Sequence, residues 1–327
     1  MTNPLQDIGA KPFADIRENN PKANFLQMIE QSLNEDDVNF QQAALIATQI
    51  LTLRNDILSF SSVKNFLETC LKSQHNEIVK CSAETIANIV KDNLSAAEFV
   101  NTLIVDTLNF LQSYLELLFK YPKCTINPKL RQDLKILSKR IIEEKNRKFA
   151  ALVLLEQLLG NAKTQFVKYL GSTIEIMWSL LQNDEIPIHS DASRCLGECM
   201  KQEEQRNSEQ TRMRYQGYVD QLYYSTQGNK LNEIKLHGGL LALGEMLKLK
   251  YVRRHSKMDR IIQIINRLKD TRLSTVRYAL FYILPPFALA FRSGVAIRQS
   301  SRNSKNHAIE IAISQSGIER LFNQFTN

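Results

Sequence analysis

Apolar residues recur along this chain at three- and four-residue steps, the period of an α-helix. The runs that carry them return about every 40 residues. Six runs align on a small residue: QQAALIATQILTL (41–53) on Ala44, NEIVKCSAETIANIV (76–90) on Ala83, RKFAALVLLEQLL (147–159) on Ala151, PIHSDASRCLGECM (187–200) on Ser193, IKLHGGLLALGEML (234–247) on Gly239 and TVRYALFYIL (275–284) on Ala279. The spacings between these small residues are 39, 68, 42, 46 and 40. Val79, Ala83, Ile86, Ala87 and Val90 show the stripe most clearly. A small residue inside such a stripe lets a neighbouring helix approach closely. A period of about 40–47 is the mark of stacked helix pairs of the HEAT or armadillo kind. The expected fold is therefore all-α: an α-solenoid, a superhelix of about six antiparallel helix pairs. Such arrays present long surfaces to partners.

The segments between these inner helices supply the outer ones. Residues 22–53 read as the first pair, with NEDD (34–37) as the acidic turn that opens its second helix. Residues 61–91 read as the second pair. Residues 95–121 predict one long helix or two abutting ones, and 129–145 an outer helix, so the spacing of 68 holds a degenerate repeat or an elongated helix. Further outer helices are expected at 163–182, with Trp178 buried, and at 255–269. Residues 202–216 read as a linker or a helix with one wet side. The apolar run 278–291 is too short to span a bilayer and reads as a buried helix broken by Pro285–Pro286. The domain reading is a flexible tail over 1–20, a solenoid over 21–297, a polar linker over 298–306 and a terminal helix over 307–327.

Composition agrees with helices: Gly and Pro number only 11 and 8 in 327 residues, fewer turn residues than a sheet protein needs. The net charge of +8 is first of all a Lys-rich solvated surface. Lys248, Lys250, Arg253, Arg254, Lys257 and Arg260 nevertheless cluster. They could hold phosphate, but a loop followed by an outer helix face is the favoured reading. Tyr215, Tyr218, Tyr223 and Tyr224 lie near Arg212 and Arg214, where aromatics could stack bases. The pattern occurs once and not in every repeat, so packing is the stronger reading and no specific nucleic acid is expected. Cys195 and Cys199 share a helix face with His189 in reach. A metal would need further ligands, so Cys195 and Cys199 are expected as small buried thiols, and five scattered cysteines imply a reducing compartment. His75, His189, His237, His255 and His307 lie far apart, and none sits beside a nucleophile at a recognised spacing. His237 reads as a packing residue at a helix start.

No phosphate loop, GxGxxG, HExxH or kinase motif set occurs. No catalytic, cofactor-binding or metal residue is assigned, no cofactor is expected, and the partner-binding residues stay unassigned. The N-terminus lacks the apolar core of a signal peptide.

Residues 144–295 resemble the N-terminal HEAT solenoid of target-of-rapamycin (TOR) kinases. The resemblance runs through EKNRKFAALVLLEQLL, FVKYLGSTIEIMWSLLQND, IPIHSDASRCLGECM, MRYQGYVDQLYYS, IKLHGGLLALGEML and VRYALFYILPPFALAFRSGV. The His-Gly followed by a Leu-rich helix is its most specific part. RQSSRNSKN departs from it, standing where an outer helix belongs, and the kinase domain is absent. The resemblance implies a scaffold arm without chemistry of its own. That arm would contact a raptor-type subunit or another TOR-complex component, support complex assembly in nutrient and growth signalling, and work in the cytoplasm or at the periphery of endomembranes. The alternative is an unrelated HEAT/armadillo adaptor of the transport or phosphatase-scaffold type.

Overall fold

A computed structural model describes residues 37–53, 60–92, 97–120, 134–161, 163–228, 231–250 and 257–301, with residues 25, 27–29 and 31. The fold is an all-α solenoid, and the described residues form helices and no strand. We number the helices α1 (Val38–Leu53), α2 (Phe60–Leu71), α3 (Asn76–Asp92), α4 (Ala97–Lys120), α5 (Leu134–Asn161), α6 (Lys163–Phe166), α7 (Leu170–Asn183), α8 (His189–Arg206), α9 (Ser208–Ser225), α10 (Glu233–Met246), α11 (Met258–Leu268) and α12 (Ser274–Ser301). Two compact units divide at Gln202 and Glu203, inside α8. The tail at 1–20 and the helix expected at 307–327 lie outside the described residues.

Helices start where side chains satisfy their orphan amides. The Asp37 carboxylate accepts from the amides of Asn39 at 2.9 Å and Phe40 at 3.4 Å, so the NEDD turn does open α1. Asn207 caps α9 and Asn232 caps α10 in the same way. All six aligned small residues are buried. In the first unit α3 packs between α1 and α5, while α4 packs on α7. In the second, α10 packs on α12 and α9 on α11. Helices two places apart, or three where the four-residue α6 intervenes, therefore share a layer, the arrangement stacked pairs require.

The bonds between layer neighbours repeat the sequence period. In the first unit Arg194 donates to Glu156 at a separation of 38 residues, and Gln202 to the Leu159 carbonyl at 43. In the second, Arg260 donates to Asp220 at 40, Arg267 to the Thr226 carbonyl at 41, Thr275 to Glu233 at 42 and Tyr282 to Glu245 at 37. Within each pair of helices the contacts advance together: Asp220 meets Arg260, and Thr226 further along meets Arg267. So α9 runs parallel to α11, and by the same test α5 runs parallel to α8 and α10 to α12.

Three boundaries differ from the sequence reading, and a fourth settles between its alternatives. A turn was expected between 129–145 and 147–159, but α5 runs unbroken through it. EEKNRK contains no Gly or Pro and is made largely of helix formers, so nothing stops the helix. The proline pair does not break α12, which continues to Ser301. Each proline removes one amide donor, yet packing against α10 and α11 holds the helix across the gap. Helical backbone thereby enters the linker expected from 298. Residues 202–216 are helix on both sides of Asn207, the wet-sided alternative. The outer helix expected at 163–182 is interrupted by a 3-10 turn at Val167–Tyr169.

Candidate interaction surface

The residues singled out by sequence are largely occupied inside the fold. Cys195 and Cys199 are fully buried and in no disulfide. Among the described residues no group of His, Cys, Asp and Glu is disposed to hold a metal ion. The buried His189 ring places Nε2 3.1 Å from the Asp184 carbonyl, which can only accept, so that nitrogen carries the proton. His237 is buried near the start of α10, and burial lowers its pKa, with Glu233 pulling the other way. This is the packing role expected of it.

Of the basic cluster, Arg253 and Arg254 lie outside the described residues. Lys257 holds Asp220 at 2.7 and 2.8 Å, and Arg260 joins the same carboxylate. The Arg260 guanidinium also lies 5.5 Å from the centroid of the Tyr223 ring. Lys248 donates to Glu245 at 2.6 Å and to the Tyr282 hydroxyl at 3.1 Å. Lys250 is exposed. Three cations of the cluster therefore already have carboxylate partners.

The tyrosines split by helix face. Tyr215 and Tyr218 are buried, and Tyr224 is exposed. Burial pushes the Tyr215 hydroxyl well above the ordinary tyrosine range, partly offset by the nearby Lys257 backbone. Tyr223 meets Tyr224 edge-on at 5.7 Å. Arg212 pairs with Glu209, and Arg214 with Glu203 at 3.2 Å. This cluster cements α9.

Two polar clusters escaped the sequence reading. Lys148, on α5, is 4% exposed at its side chain and faces the fully buried Asp184 at 3.3 Å. Its ammonium also donates to the Tyr114 hydroxyl at 2.7 Å, and Tyr114 donates to Asp184 at 2.8 Å. The Glu185 amide adds a bond of 2.7 Å. Asp184 ends α7 in extended conformation, so its carboxylate turns back into the core and its carbonyl meets His189. This one residue ties α4, α5 and the entry to α8. The second cluster surrounds Gly244. A Cβ there would lie 2.9 Å from the Tyr282 ring and 3.3 Å from Ile283. Gly244 thus lets α10 and α12 touch, while Glu245, Lys248 and Tyr282 bond around the crossing. Burial opposes the Lys248 charge, but the bonds to Glu245 and Tyr282 outweigh it and raise its pKa. Burial and Glu245 raise that of Tyr282.

Tyr278 (67% exposed), Phe281 (47%), Pro285 and Leu289 (52%) line the outer side of α12. No described helix is long and apolar enough to cross a membrane.

The chain is 28% identical over 152 residues, 46% of its length, to serine/threonine-protein kinase TOR of Arabidopsis thaliana. It is 23% identical over 230 residues, 70% of its length, to serine/threonine-protein kinase TOR2 of Saccharomyces cerevisiae. The chain contains a TOR-related segment. Serine/threonine-protein kinase TOR of Oryza sativa is similar at 26% identity over 144 residues. The matched stretches make up only 6–8% of these TOR kinases. No protein-family model matches the chain, and no solved structure does.

Proposed function

We propose that this chain is a non-catalytic scaffold arm that supports assembly of a TOR-type complex through protein–protein contacts. The observation that carries this reading is the similarity to TOR kinases in a chain built of stacked helix pairs. Stacked pairs offer surface in place of a pocket. The partner implied by the resemblance is a raptor-type subunit or another component of such a complex, met in the cytoplasm or at the periphery of endomembranes. Phosphoryl transfer needs carboxylates for Mg²⁺, a lysine on the phosphates and a positioned aspartate. The conspicuous carboxylates and lysines of this fold are tied to one another: Lys148 to Asp184, Lys257 to Asp220 and Lys248 to Glu245.

The test is a pull-down with the purified full chain. It should capture a raptor-type subunit, compete for it with the N-terminal region of a TOR kinase, and transfer no phosphate from ATP in a kinase assay. A correctly folded chain that captures no TOR-complex component would replace this reading with that of a general helical adaptor. Phosphate transfer would overturn the non-catalytic part.

A further inference from the structure

The exposed face of α12 has a definite geometry and a one-sided charge. Tyr278, Phe281, Pro285 and Leu289 follow steps of 3, 4 and 4 residues, so they stand in one line along the helix. Eleven residues at the helical rise span about 16 Å, three turns. Isolated exposed apolar side chains are ordinary, but a contiguous line of them marks a contact surface. The opposite side of α12 is already used: Val276, Ala279, Leu280, Ile283 and Phe287 are buried.

The charged residues that α12 and its flanks carry in sequence are of one sign. From Thr271 to Ile309 the sequence holds no Asp or Glu, but it holds Arg272, Arg277, Arg292, Arg298, Arg302 and Lys305. Arg272 and Arg277 are exposed at the start of the helix, whose own first turn carries no acidic residue. The imbalance extends to the whole second unit. Residues 203–327 carry 20 Lys and Arg against 10 Asp and Glu, whereas residues 1–202 carry 22 against 24. The entire positive excess of the chain therefore belongs to the unit that shows the apolar line.

We propose that this face of α12 docks an acidic amphipathic helix of a partner protein, about three turns long, with one apolar stripe flanked by Asp and Glu. The proposal deepens the scaffold reading and rests on it, by naming the face and the chemistry of what it holds. A single line of apolar side chains beside the exposed Arg272 and Arg277 matches the ridge of one helix. An anionic membrane would also favour cations beside apolar residues. It would need a broad apolar face free to sink into lipid, and α12 is held against α10 and α11. The acidic flanks set the orientation and speed the encounter, while the apolar stripe holds the complex.

The experiment uses the full chain in its own cells, with the photoreactive residue p-benzoylphenylalanine in place of Tyr278 or of Leu289. After irradiation the captured segment is sequenced. The expected adduct is to a partner segment with apolar residues at i, i+3 or i+4 and i+7, flanked by acids. Its yield should fall at least tenfold with Arg272→Glu plus Arg277→Glu, and again with Phe281→Glu, in chains whose circular dichroism and melting are unchanged. Cross-linking only to residues 302–327 of the same chain, to a second copy or to lipid overturns the proposal. So do binding to phosphatidylserine vesicles that Phe281→Glu abolishes, no adduct at all, or a yield that ignores the charge reversal. The two readings fail separately. An acidic helix from a protein outside any TOR complex keeps the face and removes the TOR reading. A TOR-complex component that co-purifies equally with all the variants keeps the TOR reading and removes the face.

Discussion

The Lys148 cluster in the first unit and the Lys248 cluster in the second are built from the same parts. Each joins a lysine, a carboxylate and a tyrosine, and each bonds residues one repeat apart. They differ in solvent. Lys148 and Asp184 are shut away, at 4% and 0% side-chain exposure, whereas the Lys248 side chain is 49% exposed. A surface pair is screened by water and is worth little. A buried pair becomes costly once one partner is removed, because the other charge is left without water or counter-charge. The same three residue types therefore fix the core in one unit and merely decorate a helix crossing in the other.

The sharpest way to break this comparison is Lys148→Met. It should destabilise by about 3–5 kcal/mol, since it strands the Asp184 carboxylate. Adding Asp184→Asn should cost less than the sum of the two single changes. Urea unfolding of the four proteins in the cycle measures the coupling, and additive losses would show that the pair is not coupled.

Next in size is the crossing at Gly244. Gly244→Ala should cost about 1–3 kcal/mol by overpacking, because its Cβ meets the Tyr282 ring at 2.9 Å. The buried Gly239, on the small-residue stripe, should respond to Gly239→Leu by at least as much. Tyr282→Leu should relieve Gly244→Ala in part without relieving Gly239→Leu. Thermal melts of the single and double variants separate the two glycines.

Lys248→Met should cost only about 0.2–1 kcal/mol. Its pH signature is more telling. Lys248 and Tyr282 both have raised pKa values in the folded chain, so folded protein keeps their protons longer than unfolded chain does. Their contribution is present below the unfolded values of 10.5 and 10.0 and is lost as pH rises through the folded ones. Stability measured from pH 9 to 11 should fall less steeply in Lys248→Met plus Tyr282→Phe than in the parent. Equal slopes would detach the cluster from the alkaline loss. Cys70, pushed up to about 12 by burial and by Cys81, remains in both proteins and cancels in the difference.

The smallest expected change is a gain. Gly217 sits within α9 with nothing within 4 Å of a Cβ. Gly217→Ala should stabilise by about 0.5–1 kcal/mol, by restricting the unfolded chain and favouring helix. A lowered melting temperature would contradict it.

The helical stripes were legible because burial leaves a periodic trace. Ala83, Ser193 and Ala279 could be aligned by eye, and each lies in a core. The ends of α5 and α12 were not legible, since charged residues look like a turn and prolines like a stop until packing is known. Lys148 was not legible either. It follows Arg147 in a charged stretch, and sequence holds no mark of which of two adjacent cations points inward. The same holds for Gly244: Gly238, Gly239 and Gly244 all lie in α10, and only the crossing partner on α12 tells them apart. The basic cluster looked like one patch by letters, yet Lys257 and Lys248 turn to carboxylates on different helices.

The bonds that step from one repeat to the next carry a kinetic consequence. Their separations stay between 34 and 43 residues. The single reach of 70, from Tyr114 to Asp184, is bridged by Lys148 in two steps of 34 and 36. Each repeat thus closes a loop of nearly constant length, and loop-closure entropy grows only with the logarithm of that length. Among the described residues these bonds require no encounter beyond neighbouring repeats. Folding can begin in whichever repeat is locally strongest and spread to its neighbours. Lengthening the array would add further steps of the same kind without making any one of them slower.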